Sequence, residues 1–362
     1  MLSRDALFEA SRKGLIDETQ VTPLYEFLLE ADSREVETAD PEEMHFAKGF
    51  HDIFVSIGLG ILFTGYFVGL GFLIEGSPVG PIGMYFGAAV LCWLLAEWFS
   101  RKLRLSLPSI LLTGGFMLSF WFGAVNLVGF VVKGNAGDWW SMTSGSDLSA
   151  HGIAASIPFV LTLLAGWAFY KRFAVPITPA FMAMAAGMLC FLVLAILDED
   201  LLGNLLNIWL FLVGLACFGL ALFFDRKDPL RKGLNSDKAF WLHLVAAPMI
   251  VHSVLSLVAA VDKNAIAAFV TIGLVVLIAL IALVIDRRAL LASAISYLGV
   301  AIGVLLATIN LGEATAISLT LLLLGAFVLM LGSGWTSLRR KLLRPYASHA
   351  FMHKLPPVSP ER

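Results

Sequence analysis

His243 and His252 lie inside the apolar run Ala239 to Val261, on either side of Pro248. Ionisable side chains this deep in a run long enough to cross a membrane are costly, and they normally face a bundle interior or a cavity. There they can carry a proton, hold a cation or grip a polar solute. The two rings are nine positions apart. At ~100° and ~1.5 Å per residue they fall on opposite faces of an ideal helix, ~13 Å apart along its axis. That spacing argues against a shared ligand, so neither a haem pair nor a metal site is expected. The plainer expectation is that each histidine bonds a carbonyl or hydroxyl of a neighbouring helix; a binding or proton-carrying role is the alternative. Pro248 removes one backbone hydrogen bond and frees the carbonyl of Leu244, which can bend the helix and leave a polar spot.

Two carboxylates are further candidates. Glu97 sits one turn before the basic pair Arg101-Lys102, and the i,i+4 spacing predicts an ion pair with Arg101, with a proton or cation site as the alternative. Asp52, beside His51, opens the first long apolar run, close enough to the surface to cap or to reach water. His243, His252, Glu97 and Asp52 thus form the candidate intramembrane polar site. Asn126, Asn204, Asn207 and Asn310 are expected to join helices rather than bind substrate. The runs Gly58-Leu59-Gly60, Gly65 to Gly71 and Gly114-Gly115 suit close helix packing.

No Gly-x-Ser-x-Gly elbow, His-Glu-x-x-His helix, Gly-x-x-x-x-Gly-Lys phosphate loop or Cys-x-x-Cys pair occurs. Nothing therefore points to an enzyme, and no catalytic residue, metal or cofactor is expected. Cys92, Cys190 and Cys217 all lie in apolar runs and read as small packing residues.

The chain that must position these groups has 362 residues, 59% hydrophobic and 14% charged, with a mean hydropathy of +0.85. A soluble fold of that composition could not cover itself with polar groups. Apolar runs long enough for a ~30 Å hydrocarbon core follow one another. They are Gly49 to Ile74, Gly80 to Phe99, Pro108 to Val132, Gly152 to Phe169, Ala174 to Leu197, Leu201 to Phe224, Ala239 to Val261, Ala265 to Ile285, Ala289 to Ile309 and Ala314 to Gly334. About ten transmembrane helices are expected on that criterion.

Charge between the runs tests the count. Arg101, Lys102 and Arg104 follow the second run, Lys171 and Arg172 the fourth, Arg226, Lys227, Arg231 and Lys232 the sixth, Arg287 and Arg288 the eighth, and Arg339, Arg340 and Lys341 the last. The other connectors carry Glu75, Asp138, Asp147, Asp198-Glu199-Asp200, Asp262 and Glu313, with Lys133 and Lys263 as the basic exceptions. Every second connector is basic, which predicts both termini in the cytoplasm.

Two short echoes run through the chain. Ala221-Leu222-Phe223-Phe224-Asp225-Arg226 and Ala282-Leu283-Val284-Ile285-Asp286-Arg287 end the sixth and eighth runs. Ala96-Glu97-Trp98 before Arg101-Lys102 and Pro108 matches Ala165-Gly166-Trp167 before Lys171-Arg172 and Pro176. The repeating unit they imply is a pair of helices joined on the basic side, a pattern found in transporter folds. Asp225 to Lys238 reads as a solvated mixed-charge loop. The acidic-side stretch Lys133 to His151 reads as a flexible excursion with Trp139 and Trp140 at the membrane interface.

Residues 1–48 are acidic and carry two short amphipathic helices, Leu2 to Lys13 ending at Gly14, and a second from near Asp17, with Gln20 completing a capping box, to about Leu29. No apolar signal-peptide core is present there, so the first span is expected to target the chain. Residues 49–335 form the transmembrane domain, and 336–362 a basic tail. Neither end has the composition of a nucleic-acid-binding arm.

The run Glu9-Ala10-Ser11-Arg12-Lys13-Gly14-Leu15-Ile16, followed by a short amphipathic helix and many spans, resembles a bacterial family of predicted membrane proteins of unknown function. Ser236-Asp237-Lys238-Ala239-Phe240-Trp241-Leu242-His243, with Ala246-Ala247-Pro248 and Val251-His252, is similar to its proteobacterial members. The resemblance implies a bacterial inner-membrane protein and brings no substrate. The expectation is an all-α polytopic transmembrane helical bundle with the lipid bilayer as partner. It acts as a transporter or permease for a small solute or lipid, or alternatively as a membrane scaffold or regulator whose N-terminal helices recruit a cytosolic protein.

Overall fold

The computed structural model describes residues 7–8, 11–27, 50–143, 146–197, 200–228, 233–259, 265–309 and 312–346. Among these residues no strand occurs, and ten helices stand where ten apolar runs predict them. They are α1 (Phe50–Leu73), α2 (Gly80–Ala96, continued by a π-helical turn Glu97–Lys102), α3 (Ser106–Lys133), α4 (Ser146–Phe173) and α5 (Thr178–Leu197). Then follow α6 (Asp200–Lys227), α7 (Leu234–Ala259), α8 (Ala265–Ile285), α9 (Ala289–Ala307) and α10 (Glu313–Leu343). Nine of them are long and apolar enough to cross a membrane, and α9 is a shorter apolar helix. The chain is an all-α, multi-pass membrane protein.

The most extensive helix contacts lie within α6–α7, α2–α3, α4–α5 and α8–α9. Each of these pairs is joined on the side rich in Lys and Arg, so the molecule is built from four hairpins, flanked by α1 and α10. The turns are tight enough that Arg104, Ala174 and Asp286 adopt left-handed backbone, φ 52°, 53° and 57°, a conformation that costs a non-glycine residue about 1 to 2 kcal/mol. Aromatic rings pack the first two hairpins together: Phe116 stacks on Phe169 at 4.7 Å, and the Trp93 edge meets Phe173 at 5.2 Å. The α7–α9 core is more aliphatic, around Val251, Leu255, Val275 and Leu298. Ala180, Ala221 and Leu242 join α5, α6 and α7.

Three segments differ from the expectation. Ala136–Thr143 is a 3₁₀ helix folded onto the bundle, with Trp139 buried and its indole N–H donating to the Ala155 carbonyl at 3.1 Å, while Trp140 stays exposed. The backbone comes so close that a Cβ on Gly129 would meet the Ala136 carbonyl at 2.7 Å. Asp225 and Lys238 belong to helices α6 and α7, not to a solvated loop. The last helix continues past Gly334 to Leu343 and buries Trp335, Arg339 and Leu343, so the basic stretch begins inside the fold.

The N-terminal segment forms a unit separate from the bundle. Gly14 has φ 70°, the left-handed stop of a helix, and the Asp17 backbone N–H donates to Gln20 Oε1 at 3.1 Å, half of a capping box. The acidic linker from Glu30 to Glu43 lies outside the described residues.

Candidate functional site

His243 lies in the third turn of α7 and has no exposed surface. The helix runs unbroken past Pro248. The His243 ring meets the edge of Phe218 from α6, with centroids 5.2 Å apart, and its Nε2 lies 2.8 Å from Asp225 Oδ2 at the end of α6. Asp225 also holds Arg287, in the turn after α8. Arg287 Nη2 donates to Oδ1, Nε to Oδ2 at 3.4 Å, and Nη2 reaches the Ser236 carbonyl at 3.5 Å. Arg287 is 2% exposed and Asp225 14%. Side chains from two hairpins, α6–α7 and α8–α9, thus meet at one carboxylate. With Asp225 ionised by the guanidinium, Nε2 is assigned as the hydrogen-bearing nitrogen that donates to it. In that state the set is neutral, and one added proton makes it a buried net positive charge.

The turn that presents Arg287 is built for the purpose. The Arg287 N–H donates to the Ala282 carbonyl at 2.9 Å and the Asp286 N–H to Leu283 at 3.3 Å, the paired bonds of a Schellman stop with Asp286 in the left-handed position. Asp286 is itself buried and accepts the Trp335 indole N–H at 2.7 Å. Arg339 Nε donates to the Leu283 carbonyl at 3.1 Å and stands 3.8 Å from Asp286 Oδ1, while the Arg288 guanidinium lies over the Trp335 ring at 5.5 Å. Two adjacent residues of one turn therefore bind α6 and α7 on one side and α10 on the other.

The remaining candidates occupy separate places. His252 is exposed and its Nδ1 bonds the Tyr297 hydroxyl of α9. Glu97 forms the expected bond with Arg101 at 3.3 Å, and a closer two-point contact with Arg172 of α4, Nε to Oε1 at 2.6 Å and Nη2 to Oε2 at 3.1 Å. Asp52 is buried and its Oδ2 accepts the Ser106 backbone N–H at 3.3 Å, so it caps the N-terminus of α3 from α1. Each of the four thus bonds a different partner: Asp225, Tyr297, the arginines Arg101 and Arg172, and the Ser106 backbone. Asn126 bonds the Phe122 carbonyl of its own helix at 2.7 Å; the Asn204 side chain and Asn310 lie outside what is described.

Asp225, Arg287, Asp286, Trp335 and Arg339 do not stand out by hydropathy. The available signal is sign: Glu97, Asp225 and Asp286 are acids at helix ends where basic residues collect. Among the described residues no cluster of three His, Cys, Asp or Glu has the geometry to hold a metal. Comparison with protein-family models, with curated proteins and with solved structures gives no match.

Proposed function

We propose that this chain is a multi-pass permease for a small solute or lipid, with the buried Asp225–His243–Arg287 set as its ionisable working element. The observation that carries the reading is the bond between a fully enclosed histidine and a carboxylate already paired to an arginine from another hairpin. Buried ionisable networks between spans are the elements on which proton and ion coupling is built. The repeat of helix pairs supports the same reading: α2–α5 and α6–α9 run in the same direction, each as two hairpins, and in each an acid ending the first helix pairs with an arginine at the end of the third. Parallel repeats of this kind characterise a large class of transporters. With basic ends inside, the set faces the cytoplasm of a bacterium, at the inner membrane.

Proton uptake by His243 would strengthen its bond to Asp225 and set a second cation beside Arg287, so that two positive charges compete for one carboxylate. The test is uptake by proteoliposomes from a small-molecule cell extract under an imposed pH gradient, with the lumen analysed by mass spectrometry. The permease accumulates at least one compound, and Asp225→Asn and His243→Ala abolish it. Lumen contents identical to protein-free vesicles would sink the reading.

A second reading, a scaffold that recruits a cytosolic protein, draws on the separate N-terminal unit and its exposed Leu15 and Phe27. Deleting residues 1–43 separates the two. A permease core keeps its uptake, whereas a scaffold has none to lose and sheds a co-purifying protein.

A further inference from the structure

At the basic helix ends several arginines and lysines take different partners, with Arg288 over Trp335 as an arginine on a ring. Other arginines go to carboxylates: Arg101 and Arg172 to Glu97, Arg287 to Asp225, and Arg339 to Asp286. Lysines at the ends of α2, α4 and α6 go to aromatic rings instead. Lys102 lies 4.4 Å from the Trp98 centroid, Lys171 5.7 Å from Trp167 and Lys227 4.2 Å from Phe223. Among the described residues none of these three lysines has a carboxylate partner, and all three are exposed.

Each pair continues a stripe on its helix. Leu94, Trp98 and Lys102 follow at steps of four residues; Leu164, Trp167 and Lys171, and likewise Leu220, Phe223 and Lys227, at steps of three and four. Those spacings put each trio on one face, reading from the hydrocarbon outward. All three leucines and all three rings are exposed, the rings at about half their surface: 53% for Trp98, 55% for Trp167 and 50% for Phe223. The face therefore offers an exposed leucine to an acyl chain, a ring at headgroup level, where aromatic side chains settle, and an ammonium at the water. A lysine held over a ring keeps hydrogens to donate.

We propose that these three stripes are binding sites for anionic phospholipids, the acyl chain beside the leucine and the headgroup phosphate on the lysine. The repetition of one trio on three helices, at the same end of each, favours a ligand that is itself present all round the protein, which is what a bilayer lipid is. A zwitterionic lipid also presents a phosphate, but its own ammonium cancels that charge and leaves the lysine without net compensation. This inference needs only the membrane location and does not depend on the permease reading.

The test uses the full chain in phosphatidylcholine vesicles containing either brominated phosphatidylglycerol or brominated phosphatidylcholine, with quenching of tryptophan fluorescence as the readout. Trp98 and Trp167 report directly. Phosphatidylglycerol should be preferred, roughly fivefold per site, the attraction expected of one lysine at an anionic surface. The preference should vanish in K102Q/K171Q/K227Q and persist in K102R/K171R/K227R. Each single glutamine variant, which removes one exposed charge, should lose part of it, so the outcome does not rest on the triple variant folding. Equal quenching by the two lipids in the unaltered protein, or an undiminished preference in the glutamine variants, would overturn the proposal.

Discussion

The two halves of the bundle close their basic ends with the same device in opposite settings. In α2–α5, Glu97 binds Arg172 across hairpins with side chains 30% and 42% exposed. In α6–α9, Asp225 binds Arg287 with side chains 14% and 2% exposed. Water screens the first pair, and surface ion pairs contribute little. Burial makes the second pair matter by what its loss would leave behind: a charge without compensation. The second half also has the histidine. His243 stands 18 positions after Asp225, and 18 positions after Glu97 stands Gly115, where a Cβ would meet Cys92 Sγ at 3.0 Å. One half is a packed support, with aromatic rings and an outer clamp. The other keeps an ionisable centre that the first lacks.

This contrast is open to breakage at several strengths. Arg287→Met should have the largest effect, about 3 to 5 kcal/mol, read as a lower Tm of the detergent-solubilised protein, while Arg172→Met leaves Tm within error. Equal falls would erase the distinction between the halves. Asp286→Gly comes next. It eases the left-handed backbone but takes the acceptor from Trp335 and the ion partner from Arg339, a loss of about 1 to 3 kcal/mol. Asp286→Asn, which tolerates the same φ and keeps an acceptor, should lose less; a stabilised glycine variant would mean that the side chain holds nothing.

Asp52→Asn should be milder, at about 0.3 to 1 kcal/mol, since it weakens only the charge at the α3 N-terminus; hydrogen exchange of the first turn of α3 would register it, and unchanged protection would remove Asp52 from the account. Glu97→Gln sits last. No change in stability is expected at physiological salt, with a decrease appearing only as ionic strength falls.

Much of this architecture was legible in the residues. Apolar run length and the alternation of charge between runs located ten helices, because a membrane interior tolerates few other arrangements. The hairpin unit was visible in the Asp-Arg and Trp-Lys echoes. Packing partners were not. Nothing local says that Glu97 prefers Arg172, 75 positions away, to Arg101 on its own helix, or that Asp225 reaches the arginine of its own echo. Hydropathy also hid Arg339, which reads as tail because it is charged, although its helix carries it back under the α8 turn. Asp52 reads as a residue able to cap, but that the helix it caps is α3 depends on a contact across 54 positions.

The most direct test of the contrast is a pair of double-mutant cycles by thermal unfolding, Asp225→Asn with Arg287→Met and Glu97→Gln with Arg172→Met. The account predicts strong coupling in the first cycle, up to about 3 kcal/mol, with the double variant less damaged than the sum of its singles. It predicts no measurable coupling in the second at physiological salt. Coupling of the same size in both cycles, or none in the first, would contradict the claim that one half carries a buried ionisable centre and the other only a surface clamp.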